Sequence, residues 1–196
     1  MSAPGGSTLW TLIDSIPDDA RTDQEMPGLL LPKLARLPIP QVATFQRQLL
    51  DCMDRLLNWR LWEAADAIHG ESCSGDAFTD FRLWIVAQGS EVSREALRDP
   101  DTLASAGEIE RIMRLPHPWS DADYPQCASL GTVAAEAFEA IAAKLGAHTT
   151  QPLDRPAVLE EQLAIYLEDS YPEDYGADVA VHTRLPRISA LRGWSL

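Results

Sequence analysis

The sequence predicts an all-α protein: a single helical domain of about six to eight helices, with a central tryptophan-rich helical hairpin and an irregular C-terminal tail. Three observations carry that expectation. Apolar residues recur at three- and four-residue steps wherever a pattern is readable. No run of five or more residues alternates as a half-buried strand must. Proline and glycine fall where such helices would begin and end.

The elements follow in chain order. Ser7 is placed to cap a first helix carrying Leu9, Trp10, Leu12, Ile13 and Ile16, which Pro17 limits. Between Asp18 and Pro40, Pro27, Pro32, Pro38 and Pro40 leave room for at most a short helix. Pro40 then suits the first turn of a core helix over Gln41 to Asn58, whose stripe is Val42, Phe45, Leu49, Met53, Leu56 and Leu57. Trp59 to Ile68 and Ala77 to Gln88 form the hairpin, with Gly70 and Gly89 as left-handed caps. A helix over "SEVSREALR" stops at Asp99 and Pro100, and residues 101 to 127 read as loop with one short helix over "GEIERIMRL". The cleanest pattern runs from Leu130 to Leu145 and is closed by Gly146. One further helix has Pro156 in its first turn and Leu159, Leu163, Tyr166 and Leu167 on one side. Residues 1–147 are read as the helical domain, and 148–196 as a C-terminal helix and charged tail packing on it. Acids alone populate the stretch from Pro156 to Asp178, whereas Arg184, Arg187 and Arg192 follow without acids, so the tail is expected to fold back on the acidic segment.

The formal charge of −14 makes the average surface repel phosphate, which argues against nucleic acid and anionic membranes as partners. A basic protein or a cationic small molecule is the expected partner. Nothing at the N-terminus has the shape of an export signal, and no stretch approaches the roughly 20 apolar residues of a membrane span. The three cysteines, Cys52, Cys73 and Cys127, are odd in number and far apart, as reduced cytoplasmic thiols would be.

Candidate chemistry concentrates in "HGESCSGDAFTDF", His69 to Phe81. His69, Glu71, Cys73 and Asp76 are all possible metal ligands, but their spacing matches no structural zinc pattern, and no metal or cofactor is assigned. "HGE" followed by "PQCASL" imitates a zinc deaminase signature and fails it, because Gln126 separates Pro125 from Cys127 and Leu130 stands at the second cysteine position. Turn chemistry explains more: Ser74 or Asp76 caps the second arm, Gly70 and Gly75 give backbone freedom, and Asp80 favours the positive first turn. Cys73 and His69 are close enough in sequence to pair across the turn, though spacing alone does not establish contact. Trp62 and Trp84, with Trp59, Phe78 and Phe81, either fill the core or line a ligand pocket. No phosphate loop, dinucleotide fingerprint, zincin motif or nucleophile elbow is present.

Trp59 to Leu103 resembles the central block of the bacterial domain-of-unknown-function family 4240, and a fainter resemblance spans about residues 8–147. The matching positions are Trp59, Leu61, Trp62, Ala64 and Ala65, then Cys73, Ser74 and Asp76. Phe78, Asp80, Phe81, Arg82, Trp84 and Ile85 follow, then Gln88 and Gly89, then Asp99 to Leu103. His69, Gly70 and Glu71 depart from the family pattern and inherit no role from it. The resemblance implies a helical domain of unassigned activity and brings no catalytic residues. It draws attention to Asp80 and Arg82, either structural ions with other partners or the polar floor of a groove beside Trp84.

The expected function is therefore a non-catalytic binding or accessory protein engaging a basic partner. The alternative is a small helical enzyme, of a kind that tailors natural products, with Asp80, Arg82, Cys73, His69 and Glu71 around a pocket at the hairpin mouth. Trp62, Asp76, Asp80 and Trp84 are the expected binding residues. A cavity of at least about 300 Å³ at that place, with those polar side chains converging on it, favours the enzyme, and a filled hairpin junction favours binding.

Overall fold

The computed structural model describes residues 7–116, 119–120, 123–146, 154–159 and 181–193. Among the described residues there are ten α-helices, six of them seven residues or longer, and no β-strand. The count exceeds the expectation because several helices are single turns left between prolines. They are α1 (Thr8–Ile13), α2 (Met26–Leu34), α3 (Ile39–Leu56), α4 (Trp59–His69), α5 (Gly75–Ala87), α6 (Ser90–Arg98), α7 (Gly107–Ile112), α8 (Val133–Gly146), α9 (Val181–Arg184) and α10 (Pro186–Leu191). Short 3-10 turns lie at Pro100–Ser105, Ala128–Gly131 and elsewhere.

Helix α3 is the axle. Its buried stripe of Val42, Phe45, Leu49, Cys52, Met53 and Leu56 meets α1, α5 and α8, with α2 lying against α8. The hairpin arms α4 and α5 supply the bulkiest core groups, Trp84, Phe78 and Phe81, all essentially removed from solvent. Ser7 and Ser74 cap as the sequence places them, accepting from the Trp10 and Ala77 backbone N–H groups, while Asn58, expected as the last residue of the preceding helix, instead caps α4 through the Leu61 N–H. Gly70 is the left-handed cap expected, at φ 80° and ψ 8°, whereas Gly89, at φ 105° and ψ 176°, has positive φ but an extended ψ and begins α6. Two further local expectations need correction. Helix α2 runs through Pro32, which forgoes the bond to the Gly28 carbonyl, and Gly146 ends α8 without positive φ.

The acidic residues from Glu160 to Asp178, and the helix expected over Leu163, Tyr166 and Leu167, lie outside the described residues. Within 181–193, α10 packs on α4 and on the turn Pro100–Ser105. Among the described residues, Arg184 pairs with buried Glu63. Asp101, only 3% exposed, accepts from the Arg187 and Ile188 backbone N–H groups at 3.0 Å, capping α10. Its replacement leaves two donors without an acceptor in a dry interface. Asp101→Ala is expected to lose about 1–3 kcal/mol in urea unfolding and to raise amide exchange across residues 186–191. Unchanged exchange there would show that the cap is not what holds the segment.

Candidate functional site

The turn between α4 and α5 is built by capping, as its sequence suggests, but its side chains also converge. Gly70 turns the chain out of α4, and Asp66, one turn earlier, accepts the Cys73 backbone N–H at 2.7 Å. That bond draws Cys73 back beneath the end of α4, bringing its Sγ to 2.8 Å from His69 Nδ1. Ser74 then starts α5, which carries Asp80 onto the same side. Together with Tyr124, Pro125 and Gln126 from the segment before α8, these residues line a cavity of about 550 Å³ containing His69, Glu71, Cys73 and Asp80. Tyr124 closes the far side: its ring stands edge-on to His69 at 5.2 Å, and its hydroxyl donates to Glu71 Oε1 at 3.2 Å.

The charges follow from burial. The Cys73 thiol is pushed far above its ordinary value by desolvation, reinforced by Asp66 and Glu71. His69 is pulled down to about 4 by burial and then by the Arg192 guanidinium. Both groups are neutral at pH 7 and share one hydrogen bond, in which the histidine tautomer sets the donor, while Nε2 is buried without a hydrogen-bond partner. Moving a proton from this sulfur to this nitrogen is strongly uphill, the reverse of an activated thiolate–imidazolium pair. Asp80 is raised by burial, then by Asp23 and Asp76. It has no hydrogen-bond or ion-pair partner among the described residues.

The remaining predicted residues divide cleanly. Asp76 is exposed in the first turn of α5 and does not line the cavity. Trp62 packs on Phe78 at 4.5 Å between ring centres, and Trp84, fully buried, donates through its indole N–H to Glu108 at 2.6 Å. Arg82 turns inward, 2% exposed, donating to the Met53 carbonyl at 2.9 Å and to Thr79 and lying over the Phe78 ring. Asp80 and Arg82 thus point to different places, one into the cavity and one into the core. Asp66, Tyr124 and Gln126 were not legible as site residues, since they lie in a helix interior and in a proline-broken loop with no motif. No group of three or more His, Cys, Asp or Glu side chains able to hold a metal occurs among the described residues.

A larger groove of about 770 Å³ runs between α6 and the Pro100–Ser105 turn. Its polar groups already serve one another. Asp14 accepts from the Ser90 N–H and hydroxyl at 2.9 and 2.6 Å, and Arg21 donates to the Gln88 and Ile16 carbonyls beside Asp18. The hairpin mouth, with Asp80 unpaired among the described residues and an imidazole Nε2 that lacks a partner, is the better candidate.

A family model described as "Protein of unknown function (DUF4240)" matches residues 6–140, more than half of the chain, and includes the whole hairpin. No curated protein and no solved structure matches the chain. No helix among the described residues is long and apolar enough to cross a membrane.

The buried imidazole has a consequence for stability. An unfolded histidine titrates near 6.5, whereas His69 holds out to about 4; as pH falls through that window only the unfolded state gains the proton, and stability is lost. The loss is expected to reach about 3 kcal/mol by pH 4. His69→Gln should remove that part of the pH dependence in urea unfolding at pH 7 and pH 4.5. An identical slope in both proteins would mean that the ring is not held neutral.

Proposed function

We propose, from the premise that the chain belongs to the DUF4240 family and that the family description names no activity, that this protein is a non-catalytic binding protein. It takes a small cationic molecule into the cavity at the mouth of its central hairpin. The observation that carries this reading is the cavity's lining, which holds Glu71 and Asp80 but no lysine or arginine. A volume of about 550 Å³ suits a small molecule better than the flat docking of a basic protein. Asp80, half-buried among like charges, is relieved by a cation. The neutral thiol–imidazole pair forms a polar floor, and its poor match for proton transfer favours binding over nucleophilic chemistry. We place the protein in the cytoplasm, a reading supported by three buried cysteines none of which is paired.

Calorimetric titration with ethanolamine, butane-1,4-diamine and agmatine, against acetate and succinate as controls, tests this directly. Amines are expected to bind with salt-sensitive affinity, and Asp80→Asn to weaken them at least about tenfold, the effect of about 1.4 kcal/mol. Because the folded pKa of Asp80 is raised, its charge weakens the empty protein at neutral pH. The same substitution should therefore raise the melting temperature by roughly 2–4 °C. Anions binding as well as amines, or an Asp80→Asn protein that binds amines unchanged, would defeat the reading.

A further inference from the structure

We infer that Arg192, which lies beyond the residues matched by the family model, is a positioning residue for the pocket. Through Trp119 it fixes Tyr124, the wall opposite the hairpin, and so sets how tightly the site holds its ligand. The consequence for affinity rests on the cation-binding reading above; the consequence for the wall does not.

The chain of contacts is continuous. Arg192 donates from Nε to the Ala67 carbonyl at 3.1 Å and from a terminal nitrogen to the Ile68 carbonyl, two acceptors that the end of α4 leaves without helical partners. The guanidinium lies over the Trp119 ring at 4.8 Å. Trp119 is buried and meets the Tyr124 ring edge-to-face at 5.4 Å, and Tyr124 in turn meets His69 and Glu71 across the cavity. Gly70 makes the approach possible. A Cβ on it would lie 2.9 to 3.1 Å from three guanidinium atoms, so the absent side chain is the space in which Arg192 rests. Arg192 does not itself line the cavity; it donates to helix-end carbonyls and lies over an aromatic face.

A planar guanidinium can cap two carbonyls and stack on an indole at once; an ammonium cannot. Full-length Arg192→Ala and Arg192→Lys are to be compared with the parent protein for agmatine affinity by calorimetry. The His69–Tyr124 ring contact is followed by cross-relaxation NMR. Arg192→Ala is expected to lose the ring contact and at least tenfold in affinity, and Arg192→Lys to fall between. Arg187→Ala, on the same helix but outside the cavity lining, should keep both. Retained ring contact or unchanged agmatine affinity in Arg192→Ala overturns the inference. Should the parent protein bind no amine, the cation reading fails separately and the ring contact alone decides: lost, it supports the role of Arg192, and kept, it removes it. If Arg192→Ala does not fold, Arg192→Lys decides by the same two measurements.

Discussion

Helix C-termini leave carbonyls without partners, and in this protein three consecutive core helices are closed by arginines from elsewhere in the chain. Arg82 reaches the Met53 carbonyl at the end of α3; Arg192 reaches Ala67 and Ile68 at the end of α4; Arg21 reaches Gln88 at the end of α5. At the last two the following residue is a glycine with positive φ, and in each case the missing Cβ is where the arginine lies. Glycine at these ends is required twice, for its positive φ and for the empty volume beside it. Placing a cation against the negative end of a helix dipole also lets a guanidinium remain buried without a carboxylate partner, as Arg82 does. The hairpin is thereby tied to α3, to the segment after α1 and to the C-terminal segment at once.

That tying decides the chemistry of the turn. Closing α4 with Gly70 and Arg192 holds His69 beneath the aromatic wall, where burial and the nearby guanidinium both oppose its protonation. The Asp66 bond to the Cys73 backbone draws the thiol toward a carboxylate and away from water, which opposes its ionisation. A cysteine next to a histidine is often a nucleophile when the pair shares a proton as an ion pair; the same two residues in this environment are a neutral hydrogen-bonded unit. Residue identity named the pair, and solvent exclusion favours its neutral form.

What was legible in the sequence is local. Ser7 and Ser74 cap the helices that follow them, Gly70 turns as expected, and Trp62, Phe78, Phe81 and Trp84 pack at helical spacing. Periodicity and capping act within a few residues, so a sequence displays them directly. What was not legible is long-range. The two carbonyls that Arg192 closes are more than 120 residues away, and Tyr124 becomes a wall only because Trp119 is clamped from outside the helical block. Neither contact has a period, a motif or a spacing. Cys73 and His69 were visible as neighbours, yet their 2.8 Å contact depended on Asp66, an unremarked acid in the middle of a helix.

A net charge of −14 does not by itself choose a partner, because surface acids differ in how far they are already answered. Along α6 and α7, Glu91, Glu95, Glu108 and Glu110 each have an arginine one turn away, Arg94, Arg98, Arg111 and Arg114, at 2.8 to 4.0 Å. Those exposed pairs contribute little to stability, but they locally cancel the field. Around the hairpin mouth burial, then Asp23 and Asp76, raise the cost of ionising Asp80, and none of the three has an ion-pair partner among the described residues. Screening over about 8 Å at physiological salt leaves this unbalanced cluster felt mainly within the cavity itself. On the proposed binding reading, the net charge favours cations in general, and the unanswered charge in a concavity of about 550 Å³ is what would favour one small enough to enter.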